Sequence, residues 1–408
     1  MVHSAPRRVL GTALVLAIAG VGCQAILGIE PWGATEGAGG GSASTSSTSS
    51  VGGATSTSAS SSSVTSGATS SSSTGGGCTT VGSPTACGPA QLTCFGGECC
   101  DGQCTVGTVS LGVLNASKVH VAATSTGQIA AATNQFGFSI AETLAPSATQ
   151  RLMASSEILQ LAADSTEGYA LDMGHITRFS LLASSTAVLT SGGMDPNIGP
   201  QATRLRVVHF AGPMGSVEVC FLRSDGMGNG GGLYCQSPDD EGVAQRTALD
   251  FPIGLASDPV TVATPNGGQA FVAYQGQTFY GIQQNKQQNA LFSIFGFLVD
   301  VAVDPDQIFW IDSNEQIYAQ TKGTTLTATG VPLSGAKRIV EHGSYVYVGT
   351  QELIFRAPKA NPTTFDAVIP AESAGMITDF DVDDHGIYWG VVTSSGSALV
   401  RMRGLSSN

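Results

Sequence analysis

The chain has 408 residues, of which only 12% are charged, and 30 acidic against 17 basic residues leave a formal net charge of −13. The basic residues are scattered, with no Lys/Arg run interleaved with aromatics, so the electrostatic footprint of a nucleic-acid partner is missing. Gly, Ser and Cys are spread unevenly along the chain, and their clusters mark where it divides.

The first element is an export signal. His3, Arg7 and Arg8 precede an apolar run from Val9 to Val21, and small residues lead up to Cys23. A basic start, a short apolar core and small residues before a cut are the parts of a secretory signal peptide. Within it, Gly20-Val21-Gly22-Cys23 resembles the lipobox of bacterial lipoproteins, although Gly20 stands where that family carries a larger aliphatic residue. The resemblance implies cleavage after residue 22 and lipidation of Cys23 with diacylglycerol and palmitate-type chains, which would hold the protein at a membrane. Gln24 in place of Asp resembles the sorting signal of outer-membrane lipoproteins in some bacteria. Two other readings remain: cleavage at Ala17-Ile18-Ala19, which would release a secreted protein, and an uncleaved anchor continuing to Ile29.

Cysteine arithmetic bears on that choice. The nine cysteines are Cys23, a cluster of Cys78, Cys87, Cys94, Cys99, Cys100 and Cys104, and the pair Cys220 and Cys235. An odd count in an exported protein needs an explanation. Setting Cys23 aside for lipid leaves six and two, both even; one free thiol would also balance the count.

From Ala34 to Gly77 every residue except Glu36, Val51 and Val64 is Gly, Ser, Thr or Ala. Such a segment has too little apolar surface to offset its ordering entropy, which predicts a disordered tether. At about 5–6 Å × √n, it would span roughly 35–40 Å. Cys78 to Cys104 then packs six cysteines into a segment too small for a hydrophobic core, the pattern of a disulfide framework. Cys99-Cys100-Asp101-Gly102-Gln103-Cys104 resembles the adjacent-cysteine signature of knottin-like mini-domains; the pairing stays open.

The remainder is a series of short β-branched and aromatic runs punctuated by Gly, Asp, Asn and Pro, which predicts many short strands. A repeat runs through it. Its clearest units are Val301–Asp312 with Gln316–Ala319, Val346–Gly349 with Glu352–Arg356, and Asp381–Gly386 leading into Ile387-Tyr388-Trp389. Weaker copies contain Gln128–Ala131, Gly168–Leu171, Val217–Phe221 and Gln269–Tyr274. Repeats of about 40–45 residues, each of several short strands, mark β-propeller blades. The three downstream units resemble blades of NHL, YVTN and low-density-lipoprotein-receptor propellers, which implies six or seven blades packed face to face. Trp310 and Trp389 hold equivalent repeat positions and are expected to pack between blades. Cys220 and Cys235 fall on the two strands of one hairpin, where a cross-strand disulfide fits.

Motifs for chemistry are few. Gly226–Gly231 matches G-x-G-x-x-G but is followed by strand residues, whereas a dinucleotide loop must open a helix; a hairpin loop is the expectation. Asp379, Asp381 and Asp383 alternate along a strand and are the calcium candidates. Asp304 and Asp306 occupy a comparable turn, which favours structural Asx bonds at both. His385 beside Asp383 and Asp384 is the one acid/base candidate, and no nucleophile elbow is present.

The sequence therefore reads as all-β: a signal peptide over 1–22, a lipid-anchored tether over 23–77, a disulfide-rich module over 78–104 and a propeller over 105–408. The expected role is a binding or interaction protein at the cell envelope, at the outer membrane or cell surface. It would meet the membrane through its lipid and a protein or glycan through its loops, with no cofactor. An enzyme whose site assembles at the propeller channel is the second reading, and a structural envelope protein the third.

Overall fold

The computed structural model describes residues 78–80, 98–100, 103–104 and 106–405, apart from short stretches of which the longest are 192–201, 224–231, 238–244 and 258–268. The expected signal peptide, Cys23 and the expected tether lie outside the described residues. All elements in the described residues are β-strands, and no helix there is long and apolar enough to cross a membrane.

In the cysteine module, Cys78–Thr80, Glu98–Cys100 and Gln103–Cys104 form a three-stranded antiparallel sheet, with Cys78 opposite Cys100 and Cys99 opposite Cys104. The expected disulfide framework of its six cysteines lies outside the described residues.

The rest is a seven-bladed β-propeller of four-stranded antiparallel sheets. Blade 1 holds His120–Ala123, Gln128–Thr133, Phe136–Ala141 and Ala148–Met153. Blade 2 holds Gln160–Asp164, Glu167–Leu171, His175–Ser180 and Thr186–Ser191, and blade 3 holds Ala202–Phe210, Ser216–Arg223, Gly232–Gln236 and Gln245–Asp250. Blade 4 is Pro252–Ser257, Gln269–Gln275, Thr278–Gln283 and Gln288–Ser293; blade 5 is Leu298–Val303, Gln307–Asp312, Gln316–Thr321 and Val331–Pro332. Blade 6 is Arg338–His342, Tyr345–Gly349, Ile354–Pro358 and Asp366–Ala367. Blade 7 takes its first three strands, Gly375–Val382, Gly386–Thr393 and Ala398–Gly404, from the end of the chain. Its fourth is Gly107–Ser110, from the start of the propeller segment. That strand closes the ring. The first strands of successive blades touch all the way round, so they line the centre.

The seven strands singled out by the repeat are the second strand of each blade. In blades 1, 2, 5, 6 and 7 they are buried almost continuously rather than in alternation, because both faces of such a sheet are covered by neighbours. Trp310 and Trp389, each almost fully buried, show this. Trp310 meets Phe279 and Phe292 of blade 4 at ring-centroid distances of 5.5 and 5.7 Å and stacks on Tyr318 of its own blade. Trp389 packs with Tyr347 and Ile354 of blade 6, while its neighbour Tyr388 points the other way into a cluster with Val121, Ile129 and Phe138 of blade 1. The apolar core is thus divided into clusters at the seams between blades.

Antiparallel order also sorts the connections. In every blade the turn joining strands one and two, and in blades 1 to 6 the turn joining three and four, emerge on one rim, here called the turn rim. The strand two–three turns and the blade-to-blade linkers emerge on the other, the linker rim.

Candidate functional site

First strands have a backbone edge with no strand beside it at the centre of the ring, and buried amides there need acceptors. Side chains of the preceding blade supply them. Leu205 N–H donates to Gln160 Oε1 at 2.7 Å, Ile339 N–H to Asp300 Oδ2 at 2.9 Å, and Ala123 N–H to Asp381 Oδ2 at 2.9 Å. Thr378 Oγ1 both accepts from Val119 N–H and donates to Val119 O, at 2.9 and 2.8 Å. The acidic residues of the inner strands therefore act as blade-to-blade staples.

Charge collects around Arg338 on the first strand of blade 6. Its guanidinium reaches Asp300 Oδ2 at 3.5 Å on one side, and its Nε lies 3.3 Å from Asp379 Oδ1 on the other. The second contact is an ion pair by distance but off-axis for a hydrogen bond. Beyond it, His120 Nδ1 stands 3.7 Å from Asp379 Oδ2. Burial opposes the charge on Asp379, yet Arg338, His120 and Lys118 hold its carboxyl well below the usual range. Burial wins at Asp381, which is pushed up to about 6 against the Ala123 amide and Arg338. Burial, and then Lys118, push His120 down.

Of the three calcium candidates, Asp379 and Asp381 thus face the seam with blade 1, whereas Asp383 lies beyond the end of their strand. Its Oδ1 accepts from His385 N–H at 2.8 Å, Gly386 N–H at 2.9 Å and the Tyr388 hydroxyl at 2.9 Å. Asp304 makes the equivalent turn in blade 5, its Oδ1 accepting from Asp306 N–H at 2.8 Å and Gln307 N–H at 2.6 Å. Cys220 and Cys235 stand directly opposite each other and form a disulfide. Residues 226–231 lie outside the described residues, but a strand stands on either side of them.

A second cluster forms on the turn rim, where blade 7 meets blade 1. Glu142, the residue after the third strand of blade 1, projects into the turn that holds Asp383 and His385. Its Oε2 is 2.6 Å from His385 Nδ1. Among the described residues, Glu142, Asp383 and His385 form the one group of three metal-ligating side chains whose atoms lie within 4.8 Å of one another. Burial and the neighbouring Glu142 push Asp383 up to about 6. Burial alone would lower His385, but Glu142, Asp383 and Asp384 raise it. Burial and the two carboxylates push Tyr388 up, so its hydroxyl stays a donor. Asp384, the other acidic neighbour of His385, meets His342 Nε2 at 3.0 Å instead.

The sequence pointed to His385 and Asp383 but not to Glu142, which stands some 240 residues away in a chain that closes on itself. A blade-by-blade comparison of the residue after each third strand would have isolated it.

No protein-family model matches the chain, and no curated protein sequence matches it. Solved structures do. Virginiamycin B lyase from Staphylococcus aureus superposes with a TM-score of 0.54 at 12% identity, covering 74% of this chain and 99% of the lyase. The WD40 β-propeller domain of Doa1 gives 0.52 at 13% identity, covering 73% of this chain and 96% of that domain. At such identities the likeness is one of fold: this chain carries a β-propeller of the architecture found in both.

Proposed function

We propose that this chain is an exported binding protein that presents its propeller at the cell envelope, anchored through Cys23 and held off the membrane by the tether over 23–77. The observation that carries the binding role is the distribution of exposed apolar side chains. Leu114, Met153, Phe297 and Met376 are 67%, 67%, 58% and 51% exposed, and all four belong to the linker rim. Met376, Leu114 and Met153 fall on consecutive blade junctions, six to seven, seven to one and one to two. Scattered exposed apolar residues are ordinary, but a concentration on one face marks an interaction surface. Among the described residues of the turn rim Leu182 stands alone, at 60% exposure. The ligand class is a protein or glycan met through these loops.

Site-specific photo-crosslinking in cells tests this. A crosslinker at Met153 or Met376 is expected to capture a discrete partner, and one at Leu182 is not. Equal capture from both rims, or none from the linker rim, would remove the assignment. Mass spectrometry of the mature protein tests the anchor separately: a diacylglyceryl adduct on an N-terminal Cys23 is expected, and an unmodified Cys23 would recast the protein as released.

A further inference from the structure

We propose that Glu142, Asp383 and His385 bind one first-row divalent cation, of which zinc and manganese are the types, across the seam that closes the propeller ring. The repeat itself supplies the strongest argument. In blade 1, Glu142 N–H donates to Gly127 O, and in blade 6, Lys359 N–H donates to Ser344 O, so the two residues hold the same place after a third strand. Asp304 and Asp383 likewise hold the same place at the first turn of blades 5 and 7, each with its N–H on the carbonyl of the residue that opens the second strand. At the seam between blades 5 and 6, the Lys359 ammonium lies 3.2 Å from Asp304 Oδ2 and also pairs with Glu341. A side-chain cation fills that position. At the seam between blades 7 and 1 the lysine is replaced by a glutamate, so a second carboxylate faces the aspartate and no ammonium enters.

The oxygens left over point to what fills the gap. Glu142 Oε1 and Asp383 Oδ2 are both buried and have no hydrogen-bond partner. The Glu142 side chain is only 5% exposed, and Asp383 is 8% exposed. Leaving such oxygens unpaired is costly. Asp383 Oδ1 is saturated by two amides and the Tyr388 hydroxyl, which fixes the carboxylate plane and leaves Oδ2 free. That is the outer support by which metal-binding carboxylates are oriented. His385, half exposed, adds a nitrogen donor and leaves the cation a route to solvent. Two carboxylates with one imidazole suit zinc or manganese better than calcium, which takes oxygen ligands. The cation would bind residues from the two ends of the propeller segment, next to the strand that closes the ring, and on the rim opposite the proposed binding face.

The test uses the full chain with its disulfides intact, stripped with a chelator and titrated with Zn²⁺ or Mn²⁺ alone. One equivalent is expected to bind by calorimetry and to raise the thermal midpoint. Outer partners of metal ligands are worth about 10–100-fold in affinity, so Glu142→Gln should weaken binding by at least that. Glu142→Lys rebuilds the arrangement found between blades 5 and 6; it should fold without metal and lose the metal-induced rise. Absence of stoichiometric binding to the wild-type chain would overturn the proposal, because a shared proton would then be the occupant. Binding that persists unchanged in Glu142→Lys would overturn it equally.

Discussion

Asp379 and Asp381 stand on one strand of blade 7, two residues apart, and the fold treats their charges in opposite ways. Asp379 faces Arg338 and His120, and its carboxyl is held below the ordinary value of 3.8. Its contribution is complete above that pH and is lost as the pH falls through the lower folded value. Asp381 is raised to about 6 by burial. The fold therefore favours its protonated form, and that contribution is complete below the unfolded value and lost as the pH rises through 6. Asparagine substitutions should separate the two. Asp379→Asn should cost on the order of 2 kcal/mol at pH 7, because Arg338 and His120 lose a charged partner. Asp381→Asn should gain relative to wild type between pH 5 and pH 8, by about 1.4 kcal/mol, since one unit of pKa shift is worth about 1.36 kcal/mol. Denaturant unfolding at the two pH values checks both, and identical pH profiles for the two variants would contradict the assignment. At the hub of this cluster, Arg338→Met would strip the buried Asp300 of its cation. About 3–5 kcal/mol is expected for breaking such a pair from one side, read from the unfolding midpoint at constant m-value.

At the scale of the element, the hairpin of blade 3 depends on a covalent bond. Cys220 and Cys235 are almost fully buried, and the disulfide between them closes a loop of sequence separation 15. A bridge of that span restricts the unfolded chain by roughly 3 kcal/mol. The double variant Cys220→Ala/Cys235→Ala should lower stability by about that amount without losing the propeller, as thermal unfolding and far-UV circular dichroism would report. The sequence made this hairpin legible because valines and Phe221 surround Cys220 and Leu233 and Tyr234 precede Cys235. The second strands of the other blades were legible for the same reason: where their side chains are described they are the most enclosed, and residues such as Ile308, Phe309, Trp310 and Ile311 need apolar neighbours on both faces. Fourth strands were not. In blades 5 and 6 they shrink to Val331–Pro332 and Asp366–Ala367, and an outer edge exposed to solvent imposes no apolar period. Glycines at seams were equally silent. A Cβ on Gly168 would come within 2.3 Å of the Phe179 ring, a requirement set by a cross-strand partner and invisible in the local pattern.

Across the whole molecule the decisive contact joins the two ends of the propeller segment, and no repeat unit in the sequence announces it. Gly107–Ser110 pairs with the strand Ala398–Gly404 through Thr108 opposite Arg401 and Val109 opposite Val400. It contains no aromatic residue and lies more than 280 residues from its partner, so a search for self-similar units passes over it. Physically it does what a closing strand must: it covers the outer edge of blade 7 and seats Val109 and Leu111, 4% and 6% exposed, in the core shared by blades 7 and 1. Burying two such side chains contributes about 3–6 kcal/mol, and removing the strand also bares a backbone edge that invites pairing between chains. Two truncations isolate this effect. A chain starting at residue 106 retains the closing strand and should match the thermal midpoint of the full chain. A chain starting at residue 114 should unfold at markedly lower temperature and self-associate in sedimentation. A peptide covering residues 105–113, added in trans, should restore part of the midpoint and suppress association, since it supplies the missing strand with its two buried side chains. Equal stability of the two truncations would show that the ring holds through its seams alone, with the first strands and their carboxylate staples sufficient to keep blades 7 and 1 together.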